Sequence, residues 1–291
     1  MNLSAAKCAI FVLLILAGPI WAEDFWAHRI AKQVDVAYGD HDLQKMDVFI
    51  HGSRVGEPTY FVANDAAKPT LMWIHGGGWV AGDKASQISQ IIPYLERGWN
   101  VFNVNYRLGP DTAPAAVDDV MCAYQFITRQ LAERGQPVDQ IVVSGASAGG
   151  HLALVVGLLN AHGEHPCRAA TPPAAVVNWY GITDIELVDE YLQSARPKTN
   201  YARSWAGTAT TIAAVSAAFS PMYLISDEAP PIISIHGTAD TVVPYEQGES
   251  FHSSLSTPNE LVTLKGGNHS GFTDSQYQEA YRRVFAFLDA H

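Results

Sequence analysis

The chain has 291 residues, 48% of them hydrophobic, and its 29 acidic residues outnumber the 18 basic ones to give a formal net charge of −11. This surplus of negative charge argues against nucleic acids and anionic membrane surfaces as partners, and it favours neutral ligands. The length is sufficient for one large domain with an ample hydrophobic core.

The N-terminal residues have the pattern of an export signal. Lys7 provides a positive charge, an apolar stretch covers residues 8–18, and Ala22 stands at a cleavage site of acceptable sequence. The apolar stretch is too short to cross a bilayer. We therefore predict a signal peptide over residues 1–22 and a mature protein over 23–291, periplasmic or extracellular and without stable membrane association. An uncleaved membrane anchor is the alternative.

Strand-like and helix-like runs alternate along the rest of the chain. Continuous apolar strands separated by helices predict a parallel sheet that is buried on both faces. The more polar segment 34–61 is predicted to form an antiparallel edge, and no linker or internal repeat divides the chain. The predicted strands are 71–74, 101–106, 141–144, 175–179, 232–236 and 261–264, and the predicted helices are 88–97, 115–134, 151–159, 245–256 and 275–290.

Residues 185–216 interrupt this regular alternation. The segment carries Tyr191, Arg196, Tyr201 and Trp205, a mixture of aromatic and cationic side chains. Insertions that follow the C-terminal ends of strands in α/β sheets lie over the ligand site. We predict that the segment is a cap or part of a substrate pocket; a surface excursion without ligand contact is the alternative.

Residues 145–149 form the most informative motif of the chain. They read Gly-Ala-Ser-Ala-Gly and lie between an apolar strand-like run and an apolar helix-like run. A serine on such a sharp turn has a strained backbone and an exposed hydroxyl, and its glycine neighbours avoid collisions with the adjacent strand and helix. The pattern predicts that Ser147 is the nucleophile of a covalent reaction. An ordinary glycine-rich turn is the alternative.

A second glycine motif lies upstream, directly after a predicted strand. Residues 75–79 read His-Gly-Gly-Gly-Trp. Consecutive glycines leave backbone amides unshielded, so that two of them can point at the oxyanion of a tetrahedral intermediate. We predict an oxyanion hole made by the backbone N–H groups of Gly77 and Gly78, together with that of Ala148, which directly follows the serine and precedes the predicted helix. A flexible hairpin loop is the alternative.

Two later loops offer an acid and a base that would activate the serine. Residues 236–240 read His-Gly-Thr-Ala-Asp after one predicted strand, and residues 266–271 read Gly-Gly-Asn-His-Ser-Gly after the next. An acid at the C-terminal end of a strand is well placed to orient a histidine. We predict that His269 is the base and Asp240 the acid. Asp184, one predicted strand earlier, is the alternative acid.

Two further side chains are candidates for the substrate pocket. Trp79 directly follows the glycine loop, and His151 lies four residues after Ser147 on the predicted helix. A packing aromatic and a supporting histidine are the alternatives for these two positions. His75 and His236 are interpreted as structural residues that stabilise their loops by hydrogen bonds.

With these motifs the chain resembles α/β-hydrolase esterases that carry a His-Gly-Gly-Gly loop. It is similar to the hormone-sensitive-lipase-like carboxylesterases and to secreted bacterial feruloyl-esterase-type and acetyl-esterase-type proteins. The chain order Ser147, Asp240, His269 is the order of that fold, and residues 105–110, Asn-Tyr-Arg-Leu-Gly-Pro, also resemble a family segment. The resemblance implies a mostly parallel sheet of about eight strands with helices on both faces and a small cap-like insertion.

The resemblance also implies an activity. It indicates a secreted serine carboxylic-ester hydrolase that forms an acyl-enzyme on short-chain acyl or aryl esters, either small molecules or polysaccharide-linked groups. No cofactor is expected, and no cysteine spacing suggests a metal. An amide hydrolase of arylformamidase or peptidase type and a non-catalytic binding protein on the same fold are the alternatives. Oligomeric state and the pairing of Cys122 with Cys167 stay open.

Overall fold

A computed structural model describes residues 30–51 and 67–291 of the chain. The predicted signal peptide and the end of the predicted edge segment, residues 52–61, lie outside these described residues. The described part of the chain contains eight strands in one sheet and eight α-helices. No helix in that part is both long and apolar enough to cross a membrane.

Strands and helices alternate as the sequence predicts. The strands are β1 (Ile30–Ala37), β2 (Lys45–His51), β3 (Thr70–Ile74), β4 (Asn100–Val104), β5 (Ile141–Ala146), β6 (Ala175–Trp179), β7 (Ile232–Gly237) and β8 (Asn259–Leu264). The helices are α1 (Ile88–Glu96), α2 (Ala113–Ala132), α3 (Ala148–Ala161), α4 (Ile185–Ala195), α5 (Tyr201–Ala206), α6 (Ile212–Phe219), α7 (Glu246–Ser254) and α8 (Asp274–Ala290).

The sheet has the order β1-β2-β4-β3-β5-β6-β7-β8. Strands β3 to β8 run parallel, whereas β1 and β2 form the antiparallel edge. The predicted fold class, a mostly parallel sheet of about eight strands, is confirmed. Because the strands from β3 onward are parallel, the loops that follow them all lie at the same end of the sheet, where the carboxyl ends of these strands meet. The register pairs Ile74 at the end of β3 with Gly145, two residues before Ser147.

The strand residues divide the core between the two faces of the sheet. Successive side chains of a strand point to opposite faces, so Leu71 and Trp73 pack with α1 and α8, whereas Met72 and Ile74 pack with α2 and α3. Every residue of β3 to β7 is buried. Continuous apolar strands are required here because helices cover both faces of the sheet.

The edge strands differ from each other in burial. The predicted polar edge covers both β1 and β2, but only β1 is substantially exposed, and residues 46–50 of β2 are buried. The reason is that β1 occupies the outer edge and pairs with β2 along its length. The polar edge of the sheet therefore consists of β1 alone, whereas the sequence predicts that it includes β2 as well.

The two cysteines whose pairing the sequence left open form a disulfide. Cys122 of α2 is bonded to Cys167 in the loop after α3, with a Cα–Cα distance of 4.8 Å. The bond joins two elements on the same side of the sheet, where α2 and α3 pack against each other.

Candidate active site

The turn that carries Ser147 is held in a strained conformation between β5 and α3. Ser147 has φ 58° and ψ −122°, in a region that favours glycine, and its backbone N–H donates to Trp179 O at 2.8 Å. The neighbouring glycines make this turn possible: a Cβ at Gly149 would collide with the backbone oxygen of Ile74, and a Cβ at Gly145 would collide with the backbone of Gly149.

His269 links the serine to a carboxylate. Its Nε2 lies 2.9 Å from Ser147 Oγ, and its Nδ1 lies 2.7 Å from Asp240 Oδ2. Because an ionised carboxylate only accepts hydrogen bonds, Nδ1–H donates to Asp240, and Nε2 is left to accept from the serine hydroxyl. The three side chains predicted from the sequence are therefore brought into one hydrogen-bonded chain.

Asp240 is the buried end of this chain. Its side chain has no exposed surface, and its Oδ1 accepts from the backbone N–H groups of Val242 and Val243 at 2.8 and 2.9 Å. Burial by itself would raise the pKa of this carboxyl, but hydrogen bonds from His236 and His269 outweigh it and hold the pKa well below its usual range. Asp240 therefore stays ionised behind the imidazole.

His236 is a contact of the acid that the sequence analysis missed. It was interpreted only as a loop-stabilising residue, and its Nε2–H does donate to Val243 O at 3.0 Å. The same Nε2 lies 3.2 Å from Asp240 Oδ2. The sequence feature that could have indicated this contact is the spacing of four residues between His236 and Asp240, across the turn that follows β7.

Asp184, the alternative acid, has a different task. It is the N-cap of α4, and its Oδ1 accepts from the backbone N–H groups of Glu186 and Leu187 at 3.0 and 3.1 Å. Its Oδ2 accepts from Tyr223 Oη at 3.2 Å. The structure therefore brings Asp240 to His269 and uses Asp184 to begin a helix.

The glycine loop lies beside the serine. Gly77 and Gly78 have φ 125° and φ 60°, and both line the cavity together with Ser147. Side chains fix the base of the loop: the ring of His75 stacks on Tyr106 with centroids 4.6 Å apart, and Tyr106 Oη donates to His75 O at 3.0 Å. A loop held in this way keeps its backbone amides oriented in advance of the reaction.

Ala148 is the first residue of α3 and directly follows Ser147. The backbone N–H groups at a helix N-terminus carry a partial positive charge, because they have no acceptor within the helix. The assignment of the oxyanion hole to the amides of Gly77, Gly78 and Ala148 stays a prediction, and their placement around Ser147 fits it.

The serine and histidine open into a cavity of about 720 Å³. One side is formed by the glycine loop, with Tyr180 and His269 beside the serine. The segment that interrupts the regular alternation also borders the cavity, through Arg196, Lys198, Thr199, Asn200, Tyr201 and Ser204. Among the described residues, no group of three or more His, Cys, Asp and Glu side chains is placed to hold a metal ion.

The prediction that Trp79 and His151 line the pocket is wrong. Both residues are fully buried, and neither is part of the cavity lining. Trp79 stacks on Trp205 with centroids 4.3 Å apart, and its Nε1–H donates to His151 Nδ1 at 3.2 Å. The reason is that the indole of Trp79 has a large apolar surface, and packing it against Trp205 of α5 removes that surface from solvent, which an open cavity would not do.

His151 is a supporting residue of this buried cluster. Its Nε2–H donates to Phe219 O at 2.9 Å, which leaves Nδ1 to accept from Trp79. Burial lowers the pKa of His151 to about 3, so the ring is neutral at physiological pH. The cluster connects the glycine loop to α3 and, through Trp205, to α5.

Several known proteins with similar sequences or folds carry esterase names. The chain is 30% identical over 254 residues to esterase LipC of Mycobacterium tuberculosis, covering 83% of this chain and 60% of LipC. It spans about half the length of the curated relatives that it matches.

Two solved structures extend the comparison. Thermogutta terrifontis esterase 2 phosphonylated by sarin is 25% identical, with a TM-score of 0.69 over 89% of this chain and 94% of that one. A truncated carbohydrate esterase from gut microbiota, 20% identical, shares the fold with a TM-score of 0.67 over 90% and 98% of the two chains.

The family model BD-FAE matches residues 60–255. The match includes the glycine loop, Ser147 and Asp240, and it covers about two thirds of the 291 residues. It confirms the resemblance that the motifs suggest. The chain belongs to the BD-FAE family, which is of the α/β-hydrolase esterase type.

Proposed function

We propose that the protein is a serine carboxylic-ester hydrolase that acts through an acyl-enzyme. The observation that carries this proposal is the hydrogen-bonded chain from Ser147 through His269 to Asp240, with distances of 2.9 and 2.7 Å, at the base of an open cavity. A nucleophile, a base and a group that orients the base are the elements of nucleophilic catalysis. The esterases found by comparison support the same activity.

The first step is attack of Ser147 Oγ on the ester carbonyl. His269 Nε2 takes the hydroxyl proton, and the carbonyl oxygen becomes an oxyanion that accepts from the backbone N–H groups of Gly77, Gly78 and Ala148. When the tetrahedral intermediate collapses, the C–O bond to the alcohol breaks and the imidazolium gives its proton to the departing oxygen. The acyl group then remains on the serine.

The second step repeats this sequence with water. His269 takes a proton from water, the hydroxide attacks the acyl carbon, and the proton returns to Ser147 Oγ as the carboxylic acid leaves. Asp240 holds Nδ1–H throughout and stabilises the imidazolium, for which its ionised state is required. The reaction consumes one water and leaves the enzyme unchanged.

We further propose short-chain acyl or aryl esters as substrates, free or linked to a polysaccharide. A cavity of about 720 Å³ has the size of a small-molecule site, and a carbohydrate esterase shares the fold. We also propose export of the protein to the periplasm or beyond the cell, as the sequence of residues 1–22 suggests. The bond between Cys122 and Cys167 supports an oxidising compartment.

A release assay with a serine variant tests the proposal. Mature protein is incubated with aryl acetate, butyrate and octanoate, methyl ferulate, acetylated xylan and an aryl formamide. We expect turnover of at least one ester, and we expect Ser147→Ala to lower kcat/KM by a factor on the order of 10⁴ to 10⁶. Ser253→Ala makes the same chemical change on α7 outside the cavity and should retain activity.

The remaining outcomes separate the alternatives. Turnover of the formamide alone would replace the ester hydrolase with an amide hydrolase. Ester turnover that persists in Ser147→Ala, in a sample free of contaminating esterase, would overturn the assigned nucleophile. The absence of any turnover would favour the non-catalytic binding protein.

A further inference from the structure

The charge of the cavity wall differs from the charge of the whole chain. The chain carries a net charge of −11, yet none of the described residues that line the cavity is aspartate or glutamate. Two cations, Arg196 and Lys198, lie on the part of the wall that residues 185–216 contribute. The acid nearest the reaction, Asp240, is buried behind His269 and does not face the cavity.

Neither of these cations is paired with a carboxylate in the part of the chain that the structure describes. Among the described residues neither Arg196 nor Lys198 has a carboxylate oxygen within 4.0 Å, whereas Arg203 on the next helix is paired with Asp189 at 2.8 Å. Among the described residues, the guanidinium of Arg196 makes one hydrogen bond, the donation from its Nη2 to Thr241 Oγ1 at 3.3 Å. Its other N–H groups remain available to a ligand.

Two neighbouring polar side chains of the wall, Asn200 and Tyr201, already have hydrogen-bond partners. The amide of Asn200 donates to Asp189 Oδ1 at 2.6 Å, and its carbonyl oxygen accepts from the backbone of Arg203 at 3.1 Å. Tyr201 Oη donates to Val242 O at 3.3 Å. Arg196 and Lys198 are exposed, and their charged groups are the cationic hydrogen-bond donors that this wall offers to a ligand.

An anionic ligand would gain from this arrangement, and a neutral ligand would not. A concave site lined by one sign of charge raises the local concentration of the opposite charge, and a guanidinium donates to a carboxylate in a matching planar geometry. We propose that the substrate carries a carboxylate near the ester to be cleaved, and that Arg196 and Lys198 bind it. This inference rests on the proposed ester hydrolase. The net charge of the whole chain favours neutral ligands, whereas the local charge of the cavity favours an anionic one.

The carboxylate could belong to either part of the ester. It would lie on the alcohol side in an O-acylated sugar acid or an acetoxybenzoate, and on the acyl side in the half-ester of a dicarboxylic acid. Two matched substrate pairs distinguish these sources: 3-acetoxybenzoate against its methyl ester, and monophenyl succinate against methyl phenyl succinate. Release of the phenolic product is measured in each pair, so that the same aryl ester bond is scored. Methylation replaces the carboxylate with a neutral methyl ester, whose own hydrolysis releases no phenol.

In at least one pair, we expect kcat/KM for the anionic member to be roughly ten times that for its neutral partner, because the anionic member has a lower KM. The quotient of these two kcat/KM values is the ratio that the variants test. Arg196→Gln and Lys198→Gln should each reduce this ratio roughly threefold, the scale of one exposed ion pair. The double variant should bring the ratio close to one. Raising the salt concentration to about 1 M, where the Debye length is about 3 Å, should have a similar effect on the wild-type protein.

Arg129→Gln is the matched control, because it removes one positive charge from α2 outside the cavity; its ratio should equal that of the wild type. Equal use of the anionic and neutral members of both pairs, or a ratio that stays unchanged in the double variant, would overturn this inference alone. In that case Ser147-dependent turnover of neutral esters would still support the proposed function. Absence of turnover with every ester would overturn both.

Discussion

Two aspartates at strand ends illustrate how the site is decided at the scale of single residues. The sequence offers both Asp240 and Asp184, and the structure gives them different hydrogen-bond partners. His269 Nδ1 lies 2.7 Å from Asp240, whereas Asp184 accepts from the first backbone N–H groups of α4. An acid that orients a base and an acid that caps a helix respond differently when their charge is removed.

Asp240→Asn should lower kcat on the order of 10³- to 10⁴-fold, because an amide at this position favours the wrong imidazole tautomer. Asp184→Asn should leave kcat within about twofold and stability nearly unchanged, since asparagine caps helices as well as aspartate does. Steady-state kinetics and urea unfolding of the two variants check both expectations. A large loss of kcat in Asp184→Asn with retained activity in Asp240→Asn would exchange the two assignments.

At the scale of secondary-structure elements, the predicted and observed bounds differ at the helix after the serine, where two backbones approach closely. The sequence predicts that the helix after the serine begins at residue 151, but α3 begins at Ala148. Gly149 and Gly150 have low intrinsic helix propensity. Tertiary packing overrides it, because the missing Cβ of Gly149 lets the first turn of α3 lie against the backbone of Ile74.

The disulfide between Cys122 and Cys167 should stabilise the packing of α2 against α3. The two cysteines are 45 residues apart in the chain, and closing a loop of this length in the unfolded state corresponds to about 4 kcal/mol in the loop-entropy model. Reduction with dithiothreitol should therefore lower the free energy of unfolding in urea by about that amount. The Cys122→Ser/Cys167→Ser double variant should be insensitive to the reductant. Equal urea midpoints of the oxidised and reduced wild type would contradict this expectation.

At the scale of the whole molecule, buried histidines couple stability to pH. The pKa of His151 is lowered to about 3 by burial, and burial also lowers the pKa of His75. In the unfolded chain a histidine titrates near pH 6.5. Between these values the unfolded state binds the proton and the folded state does not, so stability falls as the pH drops. Asp240, with its lowered pKa, adds a further loss only below about pH 4.

We expect the free energy of unfolding to fall between pH 7 and pH 5, with about 2 kcal/mol of that loss due to His151. His151→Asn should be less stable at pH 7, and its stability should depend less steeply on pH by the same amount. His162→Gln is the control, because that side chain is 67% exposed, and it should retain the wild-type slope. Urea titrations at the two pH values measure the difference, and an unchanged slope in His151→Asn would rule out this source.

The local pattern of the chain determined the order of strands and helices, the predicted site residues Ser147, Asp240 and His269, and the glycines around them. Apolar runs and turn residues act over short distances, and parallel strands place their following loops at one edge. Tertiary structure alone decided what depends on contacts between distant segments. It buried Trp79 and His151, brought His236 to Asp240, paired the cysteines, and placed two cations on the cavity wall of an acidic protein. Burial and local charge depend on which segments pack together, and neither spacing nor net charge contains that information.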